Sequence, residues 1–233
     1  MTKFGRVLRS DNLQDLTTDD VELLVGKLGV RDIIDLRSSV EIESEGPSPL
    51  NRLDEVTVHH LSLFPEAGRR TDVEAADAAL PWNLPEERDA LSDQTGLYYT
   101  RYLSRRPDSV LAALHTMATS TGAALTHCAA GKDRTGVICA MALSVVEVER
   151  DAIVADYVAT GERLDAVIGR LRATPTYAAD LDGSSIDEHR PRPEAMQTFL
   201  GYLDREYGGP LGWLEKHGWS DADTAALRTR LLS

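Results

Sequence analysis

At 233 residues, 42% hydrophobic and 27% charged, the sequence can bury a full core and reads as one domain, 1–233, with an elaborated edge. A formal net charge of −13 and a pI near 4.9 set most of the surface against a phosphate backbone, which excludes nucleic acid as a partner. Two cysteines, eleven positions apart, exclude a disulfide framework and point to a reducing, cytoplasmic compartment, with export lacking a cleavable signal left open; no run approaches the ~20 apolar residues of a membrane span.

In chain order, Arg6 to Ser10 predicts a short strand, and Thr17 or Thr18 caps a helix carrying Val21, Leu24, Val25 and Leu28 on one face, ended by Gly29. Val30 to Arg37 follows as a buried strand with Asp35 and Arg37 at its carboxyl end, the end at which open α/β sheets bind ligands. Val56 to Leu63 is a further strand, stopped by Pro65; His59 and His60 point to opposite faces, no second cluster lies at ligand-like spacing, and no metal site is expected. Residues 66–106 read as a helical and loop insertion. Its polar, acidic part from Glu66 to Gln94 runs over the surface, with Trp82 taken as packing, and Tyr98, Tyr99, Tyr102 and Leu103 begin a helix that Pro107 ends. Val110, Leu111, Leu114 and Met117 form the apolar stripe of the next.

Ala123, Ala124 and Leu125 then run as a buried strand into a tight loop, and Val137 to Leu143 leaves that loop as an apolar helix. Five residues separate Cys128 from Arg134, so the loop can curl round one tetrahedral oxyanion with the thiol below it and the guanidinium beside it. A helix N-terminus, successive N–H groups and a neighbouring Arg or Lys favour a thiolate at Cys128. The amides of Ala129, Ala130, Gly131, Lys132, Asp133 and Arg134 can converge as an anion nest, and Arg134 offers a planar fork to two phosphate oxygens. Gly131 and Gly136 suit the sharp turn and the close approach of helix to loop, and the Thr135 hydroxyl is placed to hydrogen-bond the Cys128 sulfur. Cys139 reads as core packing. Beyond the loop, residues 150–233 form a helical part: Asp151 caps a helix bearing Ile153, Val154, Tyr157 and Val158 that continues past Gly161 to Leu171. Ala173 to Arg192 reads as a loop, Glu194 to Tyr207 as a helix broken at Gly208-Gly209-Pro210, and Ser220 opens a last helix through Leu232.

The string from His127 to Gly136 resembles the signature of the cysteine-dependent phosphatase superfamily, and its Gly131-Lys132-Asp133-Arg134-Thr135-Gly136 form resembles the bacterial atypical tyrosine and lipid phosphatases. Gly29 to Arg37 followed by Glu41, Ile153 to Tyr157, Tyr207-Gly208-Gly209, Gly218 and Leu231-Leu232 extend the resemblance over nearly the whole chain. Such phosphatases usually begin with a segment resembling Asn-Phe-Arg-Asp, and this sequence starts just after where it would stand. The resemblance implies an α/β fold with a small, mostly parallel central sheet, flanking helices and helical additions. It also implies a phosphomonoester hydrolase acting through a phosphocysteine, with phosphoproteins or phosphoinositides as substrates, a phosphate or similar oxyanion in the site, and no cofactor.

By the same resemblance Asp35 orients Lys132 or the loop and Arg37 braces it or touches substrate; the alternative is a salt-bridged pair at a strand end. Lys132 is either a second cation for phosphoinositides or the partner of Asp35 or a surface acid. In some relatives helices after the loop fold over the site as a lid, for which Leu164 to Tyr177 is the nearest candidate. Asp133 is the expected general acid, its proton favoured by the charge of bound phosphate, against Asp89 or Asp93 upstream or a purely ion-pairing role with Lys132 or Arg37. Two other functions use such a loop: a phospho-ligand binding module without turnover, and sulfur or arsenate chemistry, for which Cys139 is poorly placed as a resolving thiol.

Overall fold

Among the residues that the computed structural model describes, 2–65 and 92–232, four strands lie side by side and all parallel: β1 (Val7–Ser10), β2 (Val30–Asp35), β3 (Thr57–His60) and β4 (Ala123–His127), in the order β1-β4-β2-β3. All five residues of β4 are buried, as a strand flanked on both sides in a parallel sheet requires. Neighbouring residues face opposite layers: Ile34 and Ala124 join the large core with Leu114, Val137 and Met141, whereas Ile33 and Leu125 join a smaller one with Leu13 and Val25. Register sets Ser10 opposite His127 and His127 opposite Asp35, so three strand ends fall in one row at the carboxyl edge of the sheet.

Helix α1 (Thr18–Val21) starts at Thr17, whose side chain and Asp20 close a capping box, and passes into a π-helical turn over Glu22–Lys27 before Gly29 at φ 69° turns the chain into β2. Helix α2 (Ser39–Glu45) follows β2, with Ser38 and Glu41 as its capping box. Helices α3 (Ser92–Arg105) and α4 (Pro107–Thr119) lead to β4, and α5 (Asp133–Val145) leaves the loop after it. The C-terminal part holds α6 (Arg150–Ala159), α7 (Leu164–Ala173), α8 (Pro175–Leu181), α9 (Pro193–Tyr207), α10 (Pro210–Lys216) and α11 (Asp221–Leu231). No helix among the described residues is long and apolar enough to cross a membrane.

Several sequence expectations need correction. Asp151 lies inside the first turn of α6 and does not cap it; Glu149 stands at the cap position without a side-chain bond. The helix does not run on to Leu171, because a tighter 3₁₀ turn at Thr160–Arg163 separates α6 from α7. Ala173 to Arg192 is not a loop throughout: it holds α8 and a 3₁₀ turn at Ile186–His189. Gly208 and Gly209 do end α9, but Pro210 begins a helix. Trp82, Asp89 and the acidic stretch from 66 to 91 lie outside the described residues, and of Asp93 only the backbone, in the first turn of α3, is described.

Candidate active site

The loop from Cys128 to Lys132 joins β4 to α5 at the carboxyl edge of the sheet. Its carbonyls are taken up from outside. Ala129 O accepts from Asn12 N at 3.3 Å and from Arg170 Nη2 at 2.7 Å, and Gly131 O accepts from Arg9 Nη2 at 2.7 Å. In a trans peptide the N–H points opposite the C=O, so these bonds turn the amides of Ala130 and Lys132 away from Arg9 and Arg170, toward the concave side of the loop. The first-turn amides of α5, from Asp133 and Arg134, have no helical acceptor and add to the same nest. Gly131 adopts φ 65°, and a Cβ there would stand 2.5 Å from Ser10 O, so neither the conformation nor the contact admits a side chain.

Cys128 is 2% exposed at the base of this nest, and Thr135 Oγ1 donates to its sulfur at 3.2 Å. Arg134 is equally buried, and its guanidinium is aimed by one carboxylate: Nη1 donates to Glu41 Oε2 at 2.6 Å and Nη2 to Glu41 Oε1 at 2.7 Å. Phe64 stacks beneath the guanidinium, 5.2 Å from ring centre to Cζ. Glu41 also accepts from Ser38 N at 2.8 Å and from Tyr177 Oη at 3.0 Å. Burial alone would favour its neutral acid, but Arg134 and these donors hold it below its ordinary 4.5.

Asp35 and Arg37 form the strand-end pair. Arg37 Nη2 donates to Asp35 Oδ2 at 2.6 Å and Nε to Oδ1 at 2.9 Å, while Nη1 reaches Asn12 Oδ1 at 3.0 Å. The Asp35 carboxylate thus carries Arg37, with His127 Nε2 at 3.6 Å, and Lys132 is engaged elsewhere. Burial opposes its charge, yet His127 and the Arg37 donors outweigh that and draw Asp35 from 3.8 down to about 2. Burial likewise holds the His127 imidazole below its ordinary 6.5. Through Asn12, whose N–H binds Ala129 O, Arg37 braces the loop.

Lys132 Nζ donates to His189 O at 2.8 Å and lies 3.6 Å from Asp133 Oδ2. Asp133, one-third exposed at its side chain, accepts on Oδ1 from Tyr99 Oη, which in turn meets Tyr157 Oη at 2.8 Å. Beside them opens a cavity of about 250 Å³, with Lys132, Asp133, Tyr98, Tyr102, Leu164 and Ile168 among its walls. Helices α7 and α8 close over the loop: Leu164, Ile168, Leu171 and Tyr177 pack with Ala129 in one apolar cluster. Cys139 is buried on α5, its thiol pushed up to about 11 by burial, as a packing residue would be. His59 is spent on Asp32 at 2.7 Å and His60 on Arg37 O at 2.9 Å.

Four residues of the site lie outside the motif that sequence reading singled out. Glu41 had a local signal, the Ser-x-x-Glu capping box that directly follows β2, although its partner lies 93 positions away. Arg9, Tyr99 and Tyr177 had none, since each reaches the loop by tertiary contact alone.

The whole chain, residues 1–233, matches the model of the tyrosine phosphatase family. It is 31% identical to the triple specificity protein phosphatase PtpB of Mycobacterium tuberculosis, over 98% of this chain and 91% of that protein. It is 28% identical to a tyrosine-protein phosphatase of Nostoc commune, over 96% of this chain and 73% of that one. With a thiol at the base of an anion nest, an arginine aimed beside it and this match end to end, the chain belongs to the tyrosine phosphatase family and is a hydrolase of the protein-tyrosine phosphatase type.

Proposed function

We propose that this phosphatase hydrolyses aryl phosphate esters, phosphotyrosine in proteins first among them, through a phosphocysteine. The Cys128 thiolate attacks phosphorus in line, forming the S–P bond as the P–O bond to the leaving group breaks; the loop amides and Arg134 hold the equatorial oxygens, and Asp133 gives its proton to the departing oxygen. Water then attacks phosphorus, Asp133 takes a proton from it, and the sulfur leaves with the Thr135 hydroxyl as donor. Asp35, Arg37 and His127 support the loop. The observation that carries the choice of substrate is the cavity beside Asp133, whose lining sets three tyrosines and the aliphatic Leu164, Ile168, Leu171 and Leu181 beside that carboxyl group, fitting an aromatic leaving group better than a sugar.

Helices α7 and α8 act as a lid. A protein-borne phosphate reaches the loop as the apolar cluster over Ala129 parts, and movement of the turn that follows α8 frees Lys132 from His189 O. On that basis phosphoserine, phosphothreonine and phosphoinositides are poorer substrates, the last using Lys132 as a second cation. The triple specificity in the name of the mycobacterial relative supports such breadth.

Turnover of a panel of phosphopeptides, phosphoinositides and sugar phosphates tests the reading. Phosphotyrosine peptides are expected to lead, Cys128→Ser to abolish turnover while phosphate still binds, and rapid acid quench to trap label on Cys128. Preference for sugar phosphates, or turnover that survives Cys128→Ser, would overturn it.

A further inference from the structure

We propose that Tyr99, backed by Tyr157, is the positioning residue for the Asp133 carboxyl, fixing which of its oxygens faces the leaving group. The proposal rests on the reading of Asp133 as general acid. A carboxyl at the first position of a helix, one-third exposed, is free to rotate about its side-chain bonds, and a rotating acid delivers its proton poorly. Here Tyr99 Oη donates to Oδ1, and Tyr157 Oη stands 2.8 Å behind Tyr99 Oη. Both phenols are buried, Tyr99 at 1% exposed, and their rings meet edge to face at 6.2 Å.

The direction of the chain follows from its end. A carboxylate can only accept, so Tyr99 spends its single proton on Asp133 and its oxygen is left to accept from Tyr157. Burial, with Asp133 and Tyr157 adding to it, pushes the Tyr99 phenol well above its ordinary value, so it remains a donor throughout the working range. Oδ1 is thereby occupied, and the catalytic proton resides on Oδ2, the oxygen that Lys132 approaches at 3.6 Å. In the first step that proton passes to the leaving oxygen as the P–O bond breaks; in the second Oδ2 takes one from the attacking water. Tyr99 neither gains nor loses a proton in either. The packing is fixed from behind, because Gly136 lets the Tyr157 ring approach where a Cβ would stand 2.8 Å from its Cδ2.

The test compares kcat/KM, which reports the step that expels the leaving group and not the later attack of water, on phenyl phosphate, a poor leaving group, and on p-nitrophenyl phosphate, a good one, in wild type, Tyr99→Phe, Asp133→Asn and the double variant. Tyr99→Phe is expected to lower kcat/KM on phenyl phosphate by ~10-fold and on p-nitrophenyl phosphate by much less, with the inhibition constant of inorganic phosphate nearly unchanged, and to have no further effect in the Asp133→Asn background. Tyr157→Phe should give a weaker copy of the same pattern, and it decides the matter should Tyr99→Phe fail to fold. Leaving-group-dependent loss in Asp133→Asn together with uniform or no loss in the tyrosine variants overturns the role of Tyr99 alone. Uniform loss in Asp133→Asn overturns the acid assignment, and the proposal with it.

Discussion

Arg134 and Glu41 form a closed fork, two parallel bonds of 2.6 and 2.7 Å between side chains 3% and 0% exposed. The arginine that would grip phosphate is thus held in orientation before any ligand arrives, by an acid whose own remaining donors come from Ser38 N and Tyr177 Oη. Removing one member of such a pair leaves a buried, uncompensated charge. Glu41→Gln is expected to destabilise the fold by about 3–5 kcal/mol and to weaken competitive inhibition by phosphate. Chemical denaturation and phosphate inhibition measure the two; unchanged inhibition would mean that Glu41 does not aim Arg134.

Tyr177 ties α8, part of the proposed lid, to that fork. Its hydroxyl donates to Glu41 Oε1 at 3.0 Å from the first turn of α8, so Tyr177→Phe removes one charge-assisted bond, roughly 1.5–3 kcal/mol, while keeping the ring in its apolar cluster. The expected outcome is faster amide hydrogen exchange across α7 and α8 and a larger gain in kcat/KM for a phosphopeptide than for a small aryl phosphate. Exchange unchanged from wild type would sever the latch from the lid.

Acid should unfold this protein in a predictable window. Asp35 is drawn down to about 2 in the fold against 3.8 for an ordinary aspartate, so its contribution, about 2 kcal/mol, is complete above pH 3.8 and is lost as pH falls through about 2. His127, whose imidazole burial holds below its ordinary 6.5, works in the same direction from a higher start: the unfolded chain takes its proton first as pH drops below 6.5. Asp35→Asn is expected to be less stable at neutral pH, where it leaves Arg37 without its carboxylate, and to show a flatter decline between pH 4 and 2. Stability curves by denaturant at fixed pH values decide this; an unaltered slope would place the acid sensitivity elsewhere.

The sheet and the loop were legible because their signals are local. An apolar run, a tight turn and an apolar helix stand in series from Ala123 to Leu143, and β2 carries its polar pair just where it ends. What sequence reading missed falls into two kinds. From the sequence Pro210 reads as part of a break and 173–192 as a loop, whereas Pro175 and Pro210 each occupy the first turn of a helix, where the missing N–H costs nothing. The rest are side chains whose partners are distant in sequence: Tyr99 meets Asp133 across 34 positions and Tyr177 meets Glu41 across 136, separations at which no periodicity survives. Of the two partners that the resemblance implies for Asp35, Lys132 or the loop, Lys132 is engaged by His189 O, while the ion pair of Asp35 with Arg37 reaches the loop through Asn12.

Gly131 offers the sharpest test of the cradle itself. It sits between Lys132 and Ala130 at φ 65°, its carbonyl is fixed by Arg9, and a Cβ would press within 2.8 Å of Asp11 N as well as on Ser10 O. All of these neighbours on the β1 side are backbone, which cannot swing aside as a side-chain end would. Gly131→Ala therefore combines left-handed strain, about 1 kcal/mol, with a displacement of the turn that aims the Lys132 amide. Gly136 is the contrasting case: it lies within α5, where alanine adopts the backbone freely, and its added methyl meets the Tyr157 ring. Gly131→Ala is expected to weaken phosphate binding and to slow good and poor leaving groups alike, because every transition state uses the nest. Gly136→Ala should spare phosphate binding and slow poor leaving groups selectively, because it disturbs the tyrosine chain to Asp133. Inhibition constants for phosphate, measured beside the two aryl substrates, separate these patterns, and identical profiles for the two variants would sink the division between nest and acid.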